Sequence, residues 1–175
     1  MNIRIATTKD SNHIYKVHFS AFPEEERDIV AKLATNLLAE ESTPQIISLV
    51  AESDSIVVGH IAFSPLKIDR KNWIGYILAP LGVMPEYQNK SIGSKLIQSG
   101  VKRLLEMEVN MLFVYGDPKF YGRFGFNAET ASKYYTSYEL QYPFGWQAIT
   151  LNDCSNITEP VTINCVESLS DPKLW

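Results

Sequence analysis

Leu81-Gly82-Val83-Met84-Pro85-Glu86-Tyr87-Gln88-Asn89-Lys90-Ser91-Ile92-Gly93-Ser94 joins the end of an apolar strand to the start of a strongly amphipathic helix. Upstream, the run from Trp73 to Val83 is almost continuously hydrophobic, which predicts a central strand covered on both faces. Downstream of Ser91, residues Ile92, Leu96, Ile97, Val101, Leu104 and Leu105 recur at helical spacing, and the pattern ends by Glu108 to Asn110. Met111 to Tyr115 then reads as a short buried strand, joined through this helix by a right-handed crossover if the two strands are parallel.

The outer elements follow from the same reasoning. Asn2 to Ala6 alternate as a strand, and Thr8, Lys9 and Asp10 supply capping chemistry for a helix carrying Ile14, Val17 and His18 on one side. Pro23 followed by Glu24, Glu25 and Glu26 reads as a second helix start, with Ile29, Val30, Leu33, Leu37 and Leu38 as its buried stripe and Pro44 beyond its end. Ile46 to Ala51 and Ile56 to Phe63 are expected to pair as a hairpin around Ser53, Asp54 and Ser55. A polar turn over Asp69 to Asn72 precedes the central strand. Pro118 to Phe124 reads as a short helix closed by Gly125, and strands are expected at Gln147 to Leu151 and Val161 to Val166. A chain of 175 residues, 45% hydrophobic, is expected to form one domain spanning 1–175.

A strand-to-helix junction is where a phosphate-binding site can form. The first N–H groups of a helix have no partner within it, and the dipole makes that end positive. Small residues Ser91, Gly93 and Ser94 let a bulky anion approach the backbone, and Lys90 adds charge at the rim. The stretch lacks the lysine and hydroxyl ending of a Walker-type loop and the full glycine fingerprint of a dinucleotide fold. Read alone, it is a pyrophosphate cradle or simply a glycine-containing turn before a helix.

Two motifs in order carry a resemblance. The first is Leu81-Gly82-Val83, Pro85, Gln88, then Ser91 and Gly93; the second is Phe120-Tyr121-Gly122-Arg123-Phe124-Gly125-Phe126, preceded by Gly116-Asp117-Pro118. Together they resemble the GNAT superfamily of N-acetyltransferases, and the bacterial subgroup typified by the YhbS proteins. The chain departs from the family pattern at Ser91, where glycine is usual; a serine there is expected to cap the helix. The resemblance implies an acyl-CoA N-acyltransferase fold of the α/β (α+β) class, a mixed central sheet flanked by helices. It implies acetyl-CoA as cosubstrate and acetyl transfer to a primary amine on a small molecule, peptide or protein by direct attack in a ternary complex. It places the N–H of Leu81 near the thioester carbonyl and that of Val83 near the pantetheine arm. The implied cofactor-binding set is Leu81, Gly82, Val83, Gln88, Asn89, Lys90, Ser91, Ile92, Gly93, Ser94, Asp117, Phe120 and Tyr121, with Leu81 and Tyr121 as the catalytic positions.

Tyr121 is the expected general acid, because a phenol of pKa about 10 is protonated at neutral pH and a departing thiolate needs a proton. The competing reading makes it a packing residue among Phe120, Phe124 and Phe126. A lysine-like amine must lose a proton before attack, at a cost of about 4 to 5 kcal/mol at neutral pH. Trp73 to Val83 contains no carboxylate to take it. Glu24, Glu25, Glu26 and Asp117 are alternatives acting through water, against plainer readings as a solvated helix start and a helix cap.

His60 is expected to be a core or edge residue satisfied by hydrogen bonds, and His13 and His18 do not share a helical face, so no metal site is expected. Tyr134, Tyr135, Tyr138 and Tyr142 either wall an acceptor pocket or pack in a core or interface, and Arg123 is expected to face solvent. Net charge of -4 without a basic run argues against nucleic acid and suits a cationic amine, either a small molecule or a peptide. The longest apolar stretch, Ile74 to Val83, is too short to span a bilayer, the N-terminus lacks signal-peptide character, and Cys154 and Cys165 read as free thiols. Those features predict a cytoplasmic protein, monomeric or homodimeric. The alternative of another class is a non-catalytic acyl-CoA-binding regulatory module on the same fold.

Overall fold

The computed structural model describes residues 1–68, 75–153 and 157–175. The elements in chain order are β1 (Asn2–Ile5), α1 (Ser11–Ala21), α2 (Arg27–Ala39), β2 (Ile47–Ser53), β3 (Ile56–Ile68), β4 (Gly75–Val83), α3 (Ile92–Glu106), β5 (Met111–Tyr115), α4 (Pro118–Tyr121), α5 (Ala128–Ala131), β6 (Tyr134–Thr136), β7 (Trp146–Thr150) and β8 (Val161–Asn164). The strands form a mixed eight-stranded sheet in the order β1-β2-β3-β4-β5-β7, with β8 joined to β3 and β6. The turn expected at Asp69 to Asn72, the first residues of the run beginning at Trp73, and Cys154 lie outside the described residues.

The chain divides into two compact units, Met1–Ser64 with Ala79–Arg103, and Pro65–Leu78 with Leu104–Trp175. In the first, β1, β2 and β3 pair antiparallel as the sequence predicts, although β3 runs on past the expected end at Phe63 to Ile68. Asp54 and Ser55 both take left-handed φ values of 49° and 64°, the geometry that lets two residues close a hairpin without splaying its strands. The 3-10 turn Thr8–Asp10 that leads into α1 is held by a reciprocal pair: the Asp10 N–H donates to the Thr7 carbonyl, and the Thr7 N–H donates to the Asp10 carboxylate. The guanidinium of Arg4 donates to both Asp10 oxygens at 2.8 and 2.9 Å, which holds that carboxyl well below the usual carboxylate range. Ala6, Ile14, Val17, Ala34, Val50 and Val57 pack into one buried cluster.

The second helix starts later than the sequence suggests. Pro23 does not open α2; its carbonyl accepts N–H bonds from both Glu26 and Arg27, closing a turn that places Glu24, Glu25 and Glu26 ahead of the helix. Asp28 is the acid in the first turn instead, and Val30, Leu33 and Leu37 are buried with Ala31 and Ala34, while Ile29 and Leu38 are half-buried.

In the second unit β4 and β5 are parallel, with Gly75 opposite Met111 through Leu78 opposite Val114. A parallel pair in one sheet needs a crossover, and α3 supplies it. The end of α3 folds back in a double bond: the Val109 N–H donates to the Leu104 carbonyl and the Glu108 N–H to that of Leu105, with Glu108 left-handed at φ 57°. Antiparallel β7 covers β5, and Trp146 stacks on Phe113 at 5.3 Å. Tyr134, expected only as part of an aromatic stretch, begins the short strand β6.

Candidate active site

The end of β4 has an edge that strand pairing leaves open. Its ladder with β5 stops at Leu78 opposite Val114, yet the strand runs on through Ala79–Val83. Pro80 has no N–H to give. Beyond Val83 the Met84 N–H donates to the Val58 carbonyl of β3 at 2.9 Å. Backbone polar groups alternate sides along an extended strand, so the N–H groups of Leu81 and Val83 point to the edge away from β3. Ala79, Leu81 and Val83 are half-buried, whereas Pro80 and Gly82 are buried, the period-two pattern of that geometry.

After β4, residues Pro85–Tyr87 make one turn of 3-10 helix, and the Gln88 side-chain amide donates back to the Val83 carbonyl at 3.0 Å. That bond ties the strand end to the turn. Lys90 donates to the Glu86 carbonyl at 3.0 Å, with its ammonium 5.0 Å from the centre of the Tyr87 ring. Asn89 and Ser91 are left-handed, at φ 59° and 60°. The expected helix cap at Ser91 is therefore corrected. A capping side chain turns back on the helix from extended backbone, and Ser91 instead sits in the region that glycine occupies without strain.

Its carbonyl accepts the first intrahelical bond, from Lys95 at 3.0 Å, so the N–H groups of Ile92, Gly93 and Ser94 lie ahead of the ladder. The Ile92 side chain is buried, while Gln88, Asn89, Lys90 and Ser91 are exposed. A helix N-terminus with free N–H groups, small residues and a lysine at its rim fits a diphosphate.

The remaining predicted residues belong to the second unit. Asp117 caps α4, its carboxylate accepting the Lys119 N–H at 2.9 Å, so it is engaged locally. Phe120 meets the Tyr121 ring edge-on at 5.0 Å, and Phe126 meets it at 5.8 Å. Gly116 makes room for that ring: a Cβ there would lie 2.5 Å from Tyr121 Cε2. Burial pushes the Tyr121 hydroxyl up from its ordinary value, so it stays protonated through neutral pH. Gly125 closes the turn at φ 89°, as expected. Arg123 is exposed but not idle; its guanidinium lies 4.6 Å from the Phe120 ring centre, and its Nε donates to the Phe120 carbonyl. Of the four tyrosines considered for an acceptor wall, Tyr134 is core and Tyr138 stacks on Trp175 at 5.6 Å, while Tyr135 and Tyr142 are exposed.

One cluster was not foreseen. His18 Nε2 lies 2.8 Å from His60 Nδ1, and His60 Nε2 lies 2.7 Å from Ser48 Oγ, with both rings fully buried. His60 is thus satisfied by hydrogen bonds, as its strand position suggested. The partnership with His18 spans 42 residues of sequence, and no local pattern announces it. Burial lowers the His18 pKa to about 3; burial, then the neighbouring His18, holds His60 well below the ordinary histidine value, with Asp10 opposing. Both are neutral at pH 7. Among the described residues, no group of three His, Cys, Asp or Glu side chains could hold a metal ion, and no helix is long and apolar enough to cross a membrane.

Comparison with known proteins finds relatives of one family. A family model for the acetyltransferase (GNAT) domain matches residues 44–128. The uncharacterized N-acetyltransferase YjhQ of Escherichia coli (strain K12) is 36% identical over 142 residues, covering 79% of this chain and 75% of that protein. The crystal structure of the GNAT family N-acetyltransferase YhbS from Escherichia coli in complex with CoA matches with a TM-score of 0.79 at 26% identity, over 93% of this chain and 89% of that one. A GNAT family acetyltransferase from Brucella melitensis, in complex with acetyl-CoA, matches with a TM-score of 0.70 at 28% identity, over 91% of this chain and 93% of that one.

Proposed function

The chain belongs to the GNAT family of acetyltransferases, and on that premise we propose that residues 1–175 serve one N-acetyltransferase domain moving an acetyl group from acetyl-CoA to a primary amine of a small molecule, peptide or protein. The observation that carries the reading is the end of β4, where the Leu81 and Val83 N–H groups point to an unpaired edge just before the free N–H groups of Ile92, Gly93 and Ser94. Solved relatives with CoA or acetyl-CoA bound support the same cosubstrate here. Gln88, Asn89, Lys90, Ser91, Ile92, Gly93 and Ser94 would hold the diphosphate and Val83 the pantetheine arm, and the family resemblance counts Gly82, Asp117 and Phe120 among the cofactor-binding residues as well.

Acetyl-CoA supplies an activated acyl group. Direct attack by the amine in a ternary complex puts negative charge on the acyl oxygen, which the Leu81 N–H is placed along the chain to receive; one such donor is typically worth about 10²- to 10³-fold in rate. As the C–S bond breaks, Tyr121, neutral and half-buried, gives its proton to the departing sulfur, while the attacking nitrogen loses its proton to water and solvent reprotonates the phenolate afterwards. Glu24 is 3.5 Å from Arg27, and Glu25 and Glu26 are exposed in the turn before α2. No carboxylate of that group is committed to deprotonating the acceptor.

The test is a thiol-release screen over polyamines, amino acids, aminoglycosides and N-terminal peptides, run beside calorimetric titration with CoA. Thiol release requiring both acetyl-CoA and an amine is expected. CoA binding with no turnover across the panel would identify a non-catalytic acyl-CoA-binding module, and failure to bind CoA would overturn the reading.

A further inference from the structure

The buried histidines reach the catalytic strand. His18 Nδ1 has no hydrogen-bond partner, although His18 is fully buried. What it faces is Gly82: a Cβ there would lie 2.7 Å from Nδ1, 2.9 Å from Cε1 and 3.4 Å from Cγ. The ring edge therefore occupies the place of the missing side chain, against the Gly82 α-hydrogen. Phe22 flanks the same ring at 5.9 Å between centroids.

That contact selects one arrangement of protons. A hydrogen on Nδ1 would drive into the α-hydrogen and leave a buried donor without an acceptor, the costlier kind of orphan. A bare Nδ1 lone pair instead takes a weak C–H contact from Gly82. The proton of His18 is then on Nε2 and donates to His60 Nδ1. His60 in turn carries its own proton on Nε2 and donates to Ser48 Oγ. Each ring is neutral with one proton, and β2, β3, α1 and β4 are linked in one directed chain.

We infer that His18, oriented by His60 and Ser48, is a positioning residue for acyl transfer: its ring edge props Gly82 and thereby fixes the aim of the Leu81 and Val83 N–H groups on either side. This rests on the reading of those two groups as acyl-CoA contacts. Sub-ångström placement of such donors matters, because a misplacement of about 1 Å can cost on the order of 10²-fold in rate.

The test has a structural arm and a kinetic arm. In the wild-type protein, long-range nitrogen-proton NMR of the histidine rings is expected to find Nδ1 of His18 bare and Nε2 protonated. In His18→Ala, the amide resonances of Leu81 and Val83 are expected to shift more than those of Ile92, Gly93 and Ser94. Kinetically, His18→Ala should lower kcat by about tenfold or more while CoA affinity stays within about threefold. Gly82→Ala should also be impaired, and it should recover in the Gly82→Ala/His18→Ala double variant, where the new methyl has the space the ring vacated. A protonated Nδ1 in wild type, unmoved Leu81 and Val83 amides, or unchanged kcat in His18→Ala would each overturn the inference. If wild type binds no CoA, the function above fails on that ground, and the NMR arm still decides whether His18 positions the strand.

Discussion

Replacing Gly100 by alanine sets two well-measured effects against each other. Gly100 lies within α3, where alanine is favoured over glycine by about 1 kcal/mol, so helix propensity alone predicts a more stable protein. The surroundings predict the reverse. A Cβ at Gly100 would stand 2.1 Å from both Cε2 and Cζ of Phe63 and 3.1 Å from Cε1. Phe63 is fully buried on β3, so relief requires α3 and β3 to separate by roughly 1 Å or the ring to leave its rotamer. Overpacking of this kind costs about 1–3 kcal/mol, and a clash with two ring atoms belongs at the upper end. The net expectation is a loss of about 2 kcal/mol, or a Tm lower by about 4–8 °C for a chain of this size.

Thermal melting followed by circular dichroism measures it. The first turn of α3 rides on the same helix, so CoA affinity should fall as well. Shortening the ring in Gly100→Ala/Phe63→Leu should return part of both losses, through coupling between neighbouring sites. A Tm for Gly100→Ala equal to or above wild type would show that α3 is not seated on Phe63 as described.

Three further outcomes are expected. Ser91→Gly removes a left-handed penalty of about 1–2 kcal/mol and adds a glycine entropy cost of about 0.5–1 kcal/mol, so chemical denaturation should show a gain of up to about 1.5 kcal/mol and calorimetry equal or tighter CoA binding. Stability should fall with acid in two windows. His18 and His60 have folded pKa values below their unfolded value near 6.5, so the unfolded chain binds more protons and stability drops as pH falls below about 6.5. Asp10 is also depressed, and its contribution, present above its unfolded value near 3.9, is lost below about pH 4; denaturation midpoints across pH should lose the lower limb in Arg4→Met and keep the upper one. Tyr121→Phe should lower kcat by about 10²-fold or more with CoA affinity nearly unchanged in stopped thiol-release assays, and an unaltered rate would remove its hydroxyl from the mechanism.

The junction from Leu81 to Ser94 was legible because its signals are local. An apolar run, small residues and a helical repeat sit side by side in sequence, and the strand, turn and helix form where those signals lie. The same holds for Asp117 as a cap and Gly125 as a left-handed stop. Where a local pattern had two physical solutions, sequence chose wrongly. Pro23 suits the first turn of a helix, but its carbonyl closes a separate turn instead. Ser91 suits a cap, but the chain needs a left-handed residue there.

What sequence hid is tertiary, and glycine was its trace. Gly82, Gly100 and Gly116 each stand where a ring fills the space of the absent Cβ: His18, Phe63 and Tyr121 respectively. A glycine inside a buried strand or helix is costly unless something approaches closely, so Gly82 in β4 and Gly100 in α3 each mark a partner without naming it. Sequence could have raised the question at Gly82, because Leu81-Gly82-Val83 interrupts a strand otherwise rich in large apolar side chains. Only the β2–β3 register and the docking of α1 supply the answer. Ser48 is twelve residues from His60, and His18 is forty-two away, yet all three converge on the strand proposed to hold the acyl group. A residue that shapes the backbone donors from behind leaves no motif of its own, which is why the positioning chain had to be read from the space around a glycine.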